Sequence, residues 1–404
     1  MTKRLSLCYA APGHALLSTA GPTRNILSLA EALSPWADVT VAFRSCREPI
    51  TSDKFRLITI EPSEGSTQQA RDDVAIRGLN PASHLSYLWT LRAFAEQWAP
   101  AFDVVLEKGW RLSGLLLAAF RRCGIPGVLV ENDVRFWSEP LGNVRSVARY
   151  GLHRIAQGVA GFSSRRAPCI IAETAELKTL LMQQRRIVPE RLRVIGLGVD
   201  HTLFRPMDQR QVRQSLGLNP EVCMLLYVGG MDVNHDLGPV LDALAQLQGL
   251  ALELHVVGDG EYRVQYEAKA RQAHTPVFFH GQMPHRTIPE FIAAADLCLA
   301  PYRVQAFPQG MVPFSTLKIP EYMACGRPVV SIPNGHICKL VTDQVSGFLF
   351  PNDLPSWRTF LKALPARAQL QSMGRAAARV VSTISWESTA AEYLEVCQKL
   401  VAVC

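Results

Sequence analysis

The feature that most constrains this chain is an alternation that runs twice. Short apolar or β-branched runs recur at 5–10 (LSLCYA), 38–43 (DVTVAF), 102–108 (FDVVLEK), 127–132 (GVLVEN) and 169–174 (CIIAET). Segments of helical period, such as 23–34 and 112–123, lie between several of them. Strands spaced by helices of that length predict βαβ units around a parallel sheet, because parallel neighbours need a long crossover. GVDHTLFRP at 198–206 interrupts the rhythm. It restarts at 223–230 (CMLLYVGG), 252–260 (LELHVVGDG), 276–281 (PVFFHG), 297–302 (LCLAPY) and 328–333 (PVVSIP).

A chain of 404 residues exceeds one ordinary core. The pattern therefore predicts an α/β protein of two doubly wound, Rossmann-like domains facing a central cleft. The expected domains are 1–200 and 207–384, with a last helix at 385–404, containing Trp386, that crosses back to the first domain. Ligands of open parallel sheets sit beyond the carboxyl ends of the strands. The loops at 12–24, 107–113, 131–139, 229–236, 258–262 and 302–321 are the ones to inspect.

Composition narrows the class. Hydrophobic residues make up 48% and charged residues 19%, which excludes a disordered chain. No apolar stretch reaches the roughly 18 residues of a membrane span. The start, MTKRLSLCYAAPGHALLSTA, has a faint signal-peptide look, but Pro12, Gly13 and His14 break the apolar run early. The expected structure there is a buried strand, 4–10, followed by a loop. The ten cysteines show no Cys-x-x-Cys or zinc spacing, and Cys8 and Cys298 fall in apolar runs. A reducing cytoplasm fits that usage.

The net charge of +7 lies wholly in residues 1–200. No acidic residue occurs between Glu139 and Glu173, where Arg145, Arg149, Arg154, Arg165 and Arg166 fall. Arg145, Arg149 and His153 recur every four residues and would share a helix face. Two readings stand: a solvated face, or peripheral contact of segment 140–172 with an anionic membrane or acidic substrate. Nucleic acid is not expected, since no binding module surrounds the patch.

Chemistry is sparser. Gly229 and Gly230 follow a strand and precede a helical segment, where glycine lets backbone N–H groups approach a phosphate. Gly258 and Gly260 also follow a strand, but the third glycine of G-x-G-x-x-G falls at Arg263, which argues against a dinucleotide site. In FSTLKIPEYMACGRPVVS (314–331), a helix starting near Leu317 puts Lys318 and Glu321 on one side of its first turn. The pair is either an ordinary helix-start ion pair or a diphosphate cation beside a carboxylate for a ribose diol.

The whole set resembles a known family, the retaining nucleotide-sugar glycosyltransferases of the GT-B fold, family-four (group 1) type. Five segments carry the resemblance in order: VIGLGVDHTLFRP (194–206), LLYVGGMDVNHDLGPVLDAL (225–244), LHVVGDGEY (254–262) with FFHGQMPHRTIPEFIAAADLCLAPY (278–302), STLKIPEYMACGRPVV (315–330) and SGFLF (346–350). The fourth is similar to the family's S-P-L-K-x-x-E-Y-M-A signature. GPTRN (21–25) and IPGVLVEN (125–132) agree more loosely.

The resemblance implies transfer of a hexose-type sugar, with retention, from a UDP- or GDP-sugar to an acceptor hydroxyl of unknown identity. Glu321 matches the second glutamate of the family's Glu-x7-Glu motif and would hold the ribose. Lys318 would stabilise the leaving diphosphate. Gly229, Gly230, His235 and Gly258 complete the donor side, with the backbone of Met311, Val312, Pro313, Phe314, Ser315, Thr316 and Leu317. Two departures stand out. Pro313 occupies the first glutamate's position, and Gly230 and His235 occupy those of the family's phosphate-binding Arg and Lys. Lys318 is then the expected substitute cation, with His235 and Arg303 as weaker ones.

The acceptor side is expected to include Gly21, Arg24, Glu107, Trp110, Glu131 and Asn132. Glu107, Glu131 and Asp133 end strands that face the expected cleft, and each is a candidate to orient or deprotonate the acceptor. His14, in the first loop, is a candidate to touch the sugar or phosphate. The plain alternative for each carboxylate is a loop hydrogen bond or helix cap. No cofactor and no metal are expected, and there is no Asp-x-Asp. A nucleotide-sugar 2-epimerase of the same fold and a non-catalytic sugar-nucleotide binder remain as alternatives.

Overall fold

The structure is a computed structural model that describes residues 4–17, 21–46, 50–61, 81–134, 143–247, 249–307 and 310–403. Residues 18–20 of the first loop, 135–139 of the loop expected to reach Glu139, and 140–142 of the basic segment lie outside the described residues, as does the side chain of Arg145. The chain forms two compact units. The first comprises residues up to Gly198, Pro313–Ser315, and Trp386 onward; the second comprises Val199–Val312 and Thr316–Ser385.

Unit 1 runs β1 (Leu5–Leu16), α1 (Gly21–Leu33), β2 (Ala37–Cys46), β3 (Arg56–Thr59), α2 (Pro81–Trp98), β4 (Val104–Lys108), α3 (Leu115–Arg122), β5 (Gly127–Glu131), α4 (Val144–Ser164), β6 (Cys169–Ala172), α5 (Ala175–Arg185) and β7 (Leu192–Val194). The strands pair in parallel in the order β3-β2-β1-β4-β5-β6-β7. Central strands read as near-continuous apolar runs because helices cover both faces. Local chemistry sets the helix starts. Asn143 and Ser146 form a capping box at α4, and the Thr174 hydroxyl accepts from Leu177 N at α5.

Unit 2 runs α6 (Gln209–Ser215), β8 (Cys223–Val228), α7 (Gly238–Gln246), β9 (Leu252–Val257), α8 (Arg263–Gln272), β10 (Val277–Gly281), α9 (Ile288–Ala294), β11 (Leu297–Ala300), α10 (Lys318–Ala324), β12 (Val329–Ser331), α11 (Ile337–Leu340), β13 (Gly347–Leu349), α12 (Leu354–Lys362) and α13 (Arg367–Val381). Its parallel order is β10-β9-β8-β11-β12-β13. In each sheet the chain steps outward from its first strand and then returns to that strand's other side. The carboxyl ends of β1/β4 and of β8/β11 are therefore switch points, where loops diverge and leave a crevice. The last helix, α14 (Trp386–Val403), packs on α1 and buries Trp386, Tyr393 and Cys397.

Two sequence expectations change. The first strand does not end at Ala10: pairing shifts between Ala11 and Ala15 and resumes at Ala15↔Ser45 and Leu16↔Cys46. The irregularity absorbs Pro12 and Gly13, so His14 sits on an extended strand rather than in a loop. Strands β3, β7 and β13 went unread because each is an edge strand of three or four residues. Cys8 and Cys298 are buried, and no described helix is long and apolar enough to cross a membrane.

Candidate active site

The unit 2 switch point is built by three chain segments. β8 ends at Val228, and Gly229 turns the chain with φ 143°, a conformation open to glycine. An added Cβ on Gly229 would lie 2.8 Å from the Lys318 ammonium. Gly258 and Gly260 fill the neighbouring strand end. Their ideal Cβ atoms would fall 2.0 Å from the Gly229 carbonyl oxygen and 2.3 Å from that of Met231. The G-x-G thus lets two strand-end loops touch backbone to backbone, with Met231 N donating to Asp259 O at 3.0 Å.

Helix α10 supplies the charged pair. Tyr322, fully buried, clips the helix to β8: its hydroxyl accepts from Val228 N at 2.8 Å and donates to Val228 O at 3.3 Å. Lys318, one turn earlier on the same face, is thereby carried to Gly229. Its Nζ donates to the Tyr227 hydroxyl at 3.2 Å and stands 4.4 Å from the Tyr227 ring centroid and 5.8 Å from that of Tyr302. The Tyr227 hydroxyl in turn donates to Gly230 O. Burial pulls the Lys318 ammonium down to about 7, against the carboxylates of Asp232 and Glu321, which favour its charge.

Glu321 is half-buried, and its Oε1 lies 3.7 Å from Nε2 of His285, whose ring stacks edge-on against buried Phe204 at 5.3 Å. The Phe204 of the 198–206 segment therefore shapes the surroundings of Glu321. His235 Nδ1 and Asp232 Oδ1 are 2.8 Å apart, and the His235 ring lies 5.2 Å from that of Tyr302. Burial pushes the His235 imidazole below its ordinary range, with the Lys318 charge adding to it. It is neutral at pH 7, so it does not supply the cation that its position was expected to supply. Arg303 is committed elsewhere, with Nη2 3.0 Å from Asp236 Oδ2.

The 311–317 backbone divides. Met311, Val312, Thr316 and Leu317 belong to unit 2, whereas Pro313, Phe314 and Ser315 group with unit 1. Asn334 holds the start of this segment, its Oδ1 accepting from Val312 N at 2.8 Å and its Nδ2 donating to Gly310 O at 2.7 Å. Sequence reasoning missed Tyr227, Asp232 and Asn334. The one available signal was position: Tyr227 is the penultimate residue of β8, and Asp232 and Asn334 stand in the loops that follow β8 and β12.

Unit 1 corrects the acceptor-side expectations. Glu107 is fully buried and spends both oxygens on the following loop and helix, accepting from Trp110 Nε1 at 2.7 Å, Gly114 N at 2.8 Å and Leu117 N at 2.9 Å. It caps α3 and cannot reach an acceptor. Burial raises its carboxyl to about 7, opposed by those three donors and helped by the nearby Glu131 charge. Trp110 is 5% exposed, packed edge-on against Tyr87 at 5.7 Å, and is a core residue.

Glu131 is 1% exposed and paired with Arg185, which also donates to the Ser164 hydroxyl at 3.0 Å. Deprotonating an acceptor would require Glu131 to leave a buried ion pair, which costs several kcal/mol, roughly 3–5 when a partner is lost. Lys108 and Glu173, 2.8 Å apart and both buried, form a second such pair. Asn132 is half-buried, Asp133 exposed, His14 and Arg24 half-buried, and Gly21 opens α1 with free space where a Cβ would stand. Of the candidates, the structure brings together Gly229, Gly230, His235, Gly258, Lys318 and Glu321.

Comparison with known proteins agrees with this geometry. Two parallel α/β sheets with this strand order define the GT-B class. Sucrose-phosphate synthase from Thermosynechococcus elongatus superposes with TM-score 0.76 at 19% identity, covering 99% of this chain and all of that one. HepE of Anabaena, solved with UDP and glucose, gives 0.71 at 18% identity over 98% of this chain and all of that one. Residues 223–364 match the family described as Glycosyl transferases group 1.

The D-inositol 3-phosphate glycosyltransferase of Mycobacterium marinum is 31% identical over 229 residues, 54% of this chain and 47% of that protein. Its counterpart in Segniliparus rotundus is 30% identical over 212 residues, 50% and 45% respectively. The chain thus spans about half the length of these curated relatives.

Proposed function

We propose that this protein is a retaining glycosyltransferase that moves a hexose from a UDP- or GDP-sugar to an acceptor hydroxyl. The observation that carries the reading is the Lys318 ammonium, fixed by Tyr227 at the unit 2 switch point beside Gly229, whose missing side chain leaves room for it. A leaving diphosphate develops negative charge as its bond to the anomeric carbon breaks, so a preorganised cation there lowers the barrier. Glu321, three residues on, is placed to accept hydrogen bonds from a ribose diol. In this reading the acceptor oxygen bonds the anomeric carbon on the face the diphosphate leaves, and the departing phosphate takes the acceptor's proton. No protein base is then required, which agrees with the burial of Glu107 and Glu131. Lys318 supplies the charge that a metal would otherwise provide.

The names of the relatives, which are glycosyltransferases, and the UDP and glucose of the HepE structure support a nucleotide-sugar donor. The test is incubation with UDP-, GDP- and dTDP-sugars plus extracts containing hydroxyl acceptors. Nucleotide release that depends on acceptor, with the anomeric configuration kept in the product, is the expected result. Release of an epimerised sugar without acceptor would make it an epimerase instead. Binding without turnover across the panel would make it a non-catalytic sugar-nucleotide binder.

A further inference from the structure

At the opposite end of the unit 1 sheet, by the amino ends of β5 and β6, α3 and α4 part to leave a cavity of about 710 Å³. Its walls are apolar: Leu117 and Ala118 from α3, Val159 and Phe162 from α4, with Ile125 and Pro168 from the adjoining turns. Three exposed arginines, Arg121, Arg122 and Arg166, line the same cavity. Two of them are tied to its rim. Arg121 donates to the Arg166 carbonyl at 3.2 Å, and the Arg166 guanidinium stands 3.5 Å over the Phe162 ring.

The outer face of α4 continues the pattern. Val147, Ile155 and Phe162 recur at spacings of eight and seven residues and are 54%, 65% and 52% exposed, which makes an apolar stripe along the helix. Arg154, Arg165 and Arg166 are exposed beside them. From residue 140 to residue 172 there is no Asp or Glu to balance these charges. A helix that exposes large apolar side chains among arginines, without a single acid, is built for the boundary between water and an anionic bilayer.

We propose that this edge of unit 1 docks on a bilayer containing anionic phospholipid, with one acyl chain received between α3 and α4 and the lipid phosphate held by Arg121, Arg122 and Arg166. The apolar walls match the chain, and the exposed arginines match the headgroup. Acyl insertion and phosphate contact are both needed, since charge alone would leave Phe162 and the cavity without a use.

The full chain carrying Phe162→Trp places an indole at the cavity and reports insertion. Vesicles in which about a third of the lipid is phosphatidylglycerol should sediment this protein several-fold better than phosphatidylcholine alone, and less at high salt. Brominated acyl chains in the anionic vesicles should quench the fluorescence that this substitution adds. Arg121→Glu with Arg122→Glu should cut the bound fraction about fivefold. Gly158→Leu directs a side chain into space where no atom lies within 4 Å of the ideal Cβ, in the wall of the cavity. Added to Phe162→Trp, it should weaken the quenching while charge-driven sedimentation persists. Equal binding to neutral and anionic vesicles, no binding, or an unquenched indole on bound protein would overturn the proposal. So would self-association through this face without vesicle binding, which would make the partner a second copy of the chain.

Discussion

The ammonium of Lys318 rests on the ring of Tyr227 and donates to its hydroxyl, across 91 residues of sequence. Tyr227 holds the cation and at the same time ties down Gly230, so charge and loop are positioned by one side chain. Because burial lowers Lys318 to about 7, the free protein carries this cation below that pH and loses it above. The donor term of kcat/KM should therefore fall as pH rises through about 7. Lys318→Arg, whose guanidinium stays charged, should remove that limb. Initial-rate measurements from pH 6 to 9 check both.

The same shift has a cost in stability. A lysine titrating near 7 in the fold and near 10.5 when unfolded binds more protons in the unfolded state between those values. Its contribution to stability rises from pH 7 to 10.5 and is lost as pH falls through 7. Lys318→Met should thus stabilise the protein at pH 7 by about 1 kcal/mol while turnover falls at least about a hundredfold. Urea denaturation beside activity assays reads the two effects separately.

Glu321→Ala should weaken binding of the free nucleotide diphosphate about tenfold to a hundredfold, the worth of hydrogen bonds to a charged group. Its effect on kcat should be smaller, since the ribose lies away from the breaking bond. Calorimetric titration with UDP and GDP measures it, and unchanged affinity for both would remove Glu321 from the site.

Glu107 gives the opposite test, a carboxylate with a structural task. Glu107→Gln turns an amide N–H₂ toward a backbone N–H that needs an acceptor, at either Leu117 or Gly114. Stability should drop by about 1–3 kcal/mol with KM for the sugar nucleotide unchanged. The sign of its pH dependence also follows. With its pKa raised to about 7, the wild-type contribution is full below about 4.5 and is lost as pH rises through 7. The glutamine variant should lack this slope in denaturation measured from pH 4 to 8.

Gly229→Ala should be as damaging to turnover as loss of the cation. Its φ of 143° disfavours any L side chain, and the new methyl would meet the Lys318 ammonium. A strain of about 1–3 kcal/mol and a displaced Lys318 should both follow. Thermal denaturation and initial rates together separate strain from displacement.

What the sequence revealed depended on the range of the interaction. Lys318 and Glu321 stand one helical turn apart, so spacing alone put them side by side. The central strands were equally legible, since burial on both faces writes long apolar runs. Tyr227 and Asn334 were not, because their partners are distant in sequence and meet only when strand ends converge. Glu107 was misread for a related reason. A carboxylate ending a strand looks like a catalytic group until the turn after it folds back and presents three N–H donors. His235 kept its place near Lys318, but burial, helped by the Lys318 charge, decided its own charge.

The return of α14 onto α1 also bears on the order in which the chain is made. Trp386, Tyr393 and Cys397 complete the interior of unit 1, although nearly all the rest of that unit is synthesised before residue 199. Unit 2 has every strand of its sheet by Leu349. On a ribosome, the second unit can reach its native state while the first still waits with an uncovered flank for its closing helix.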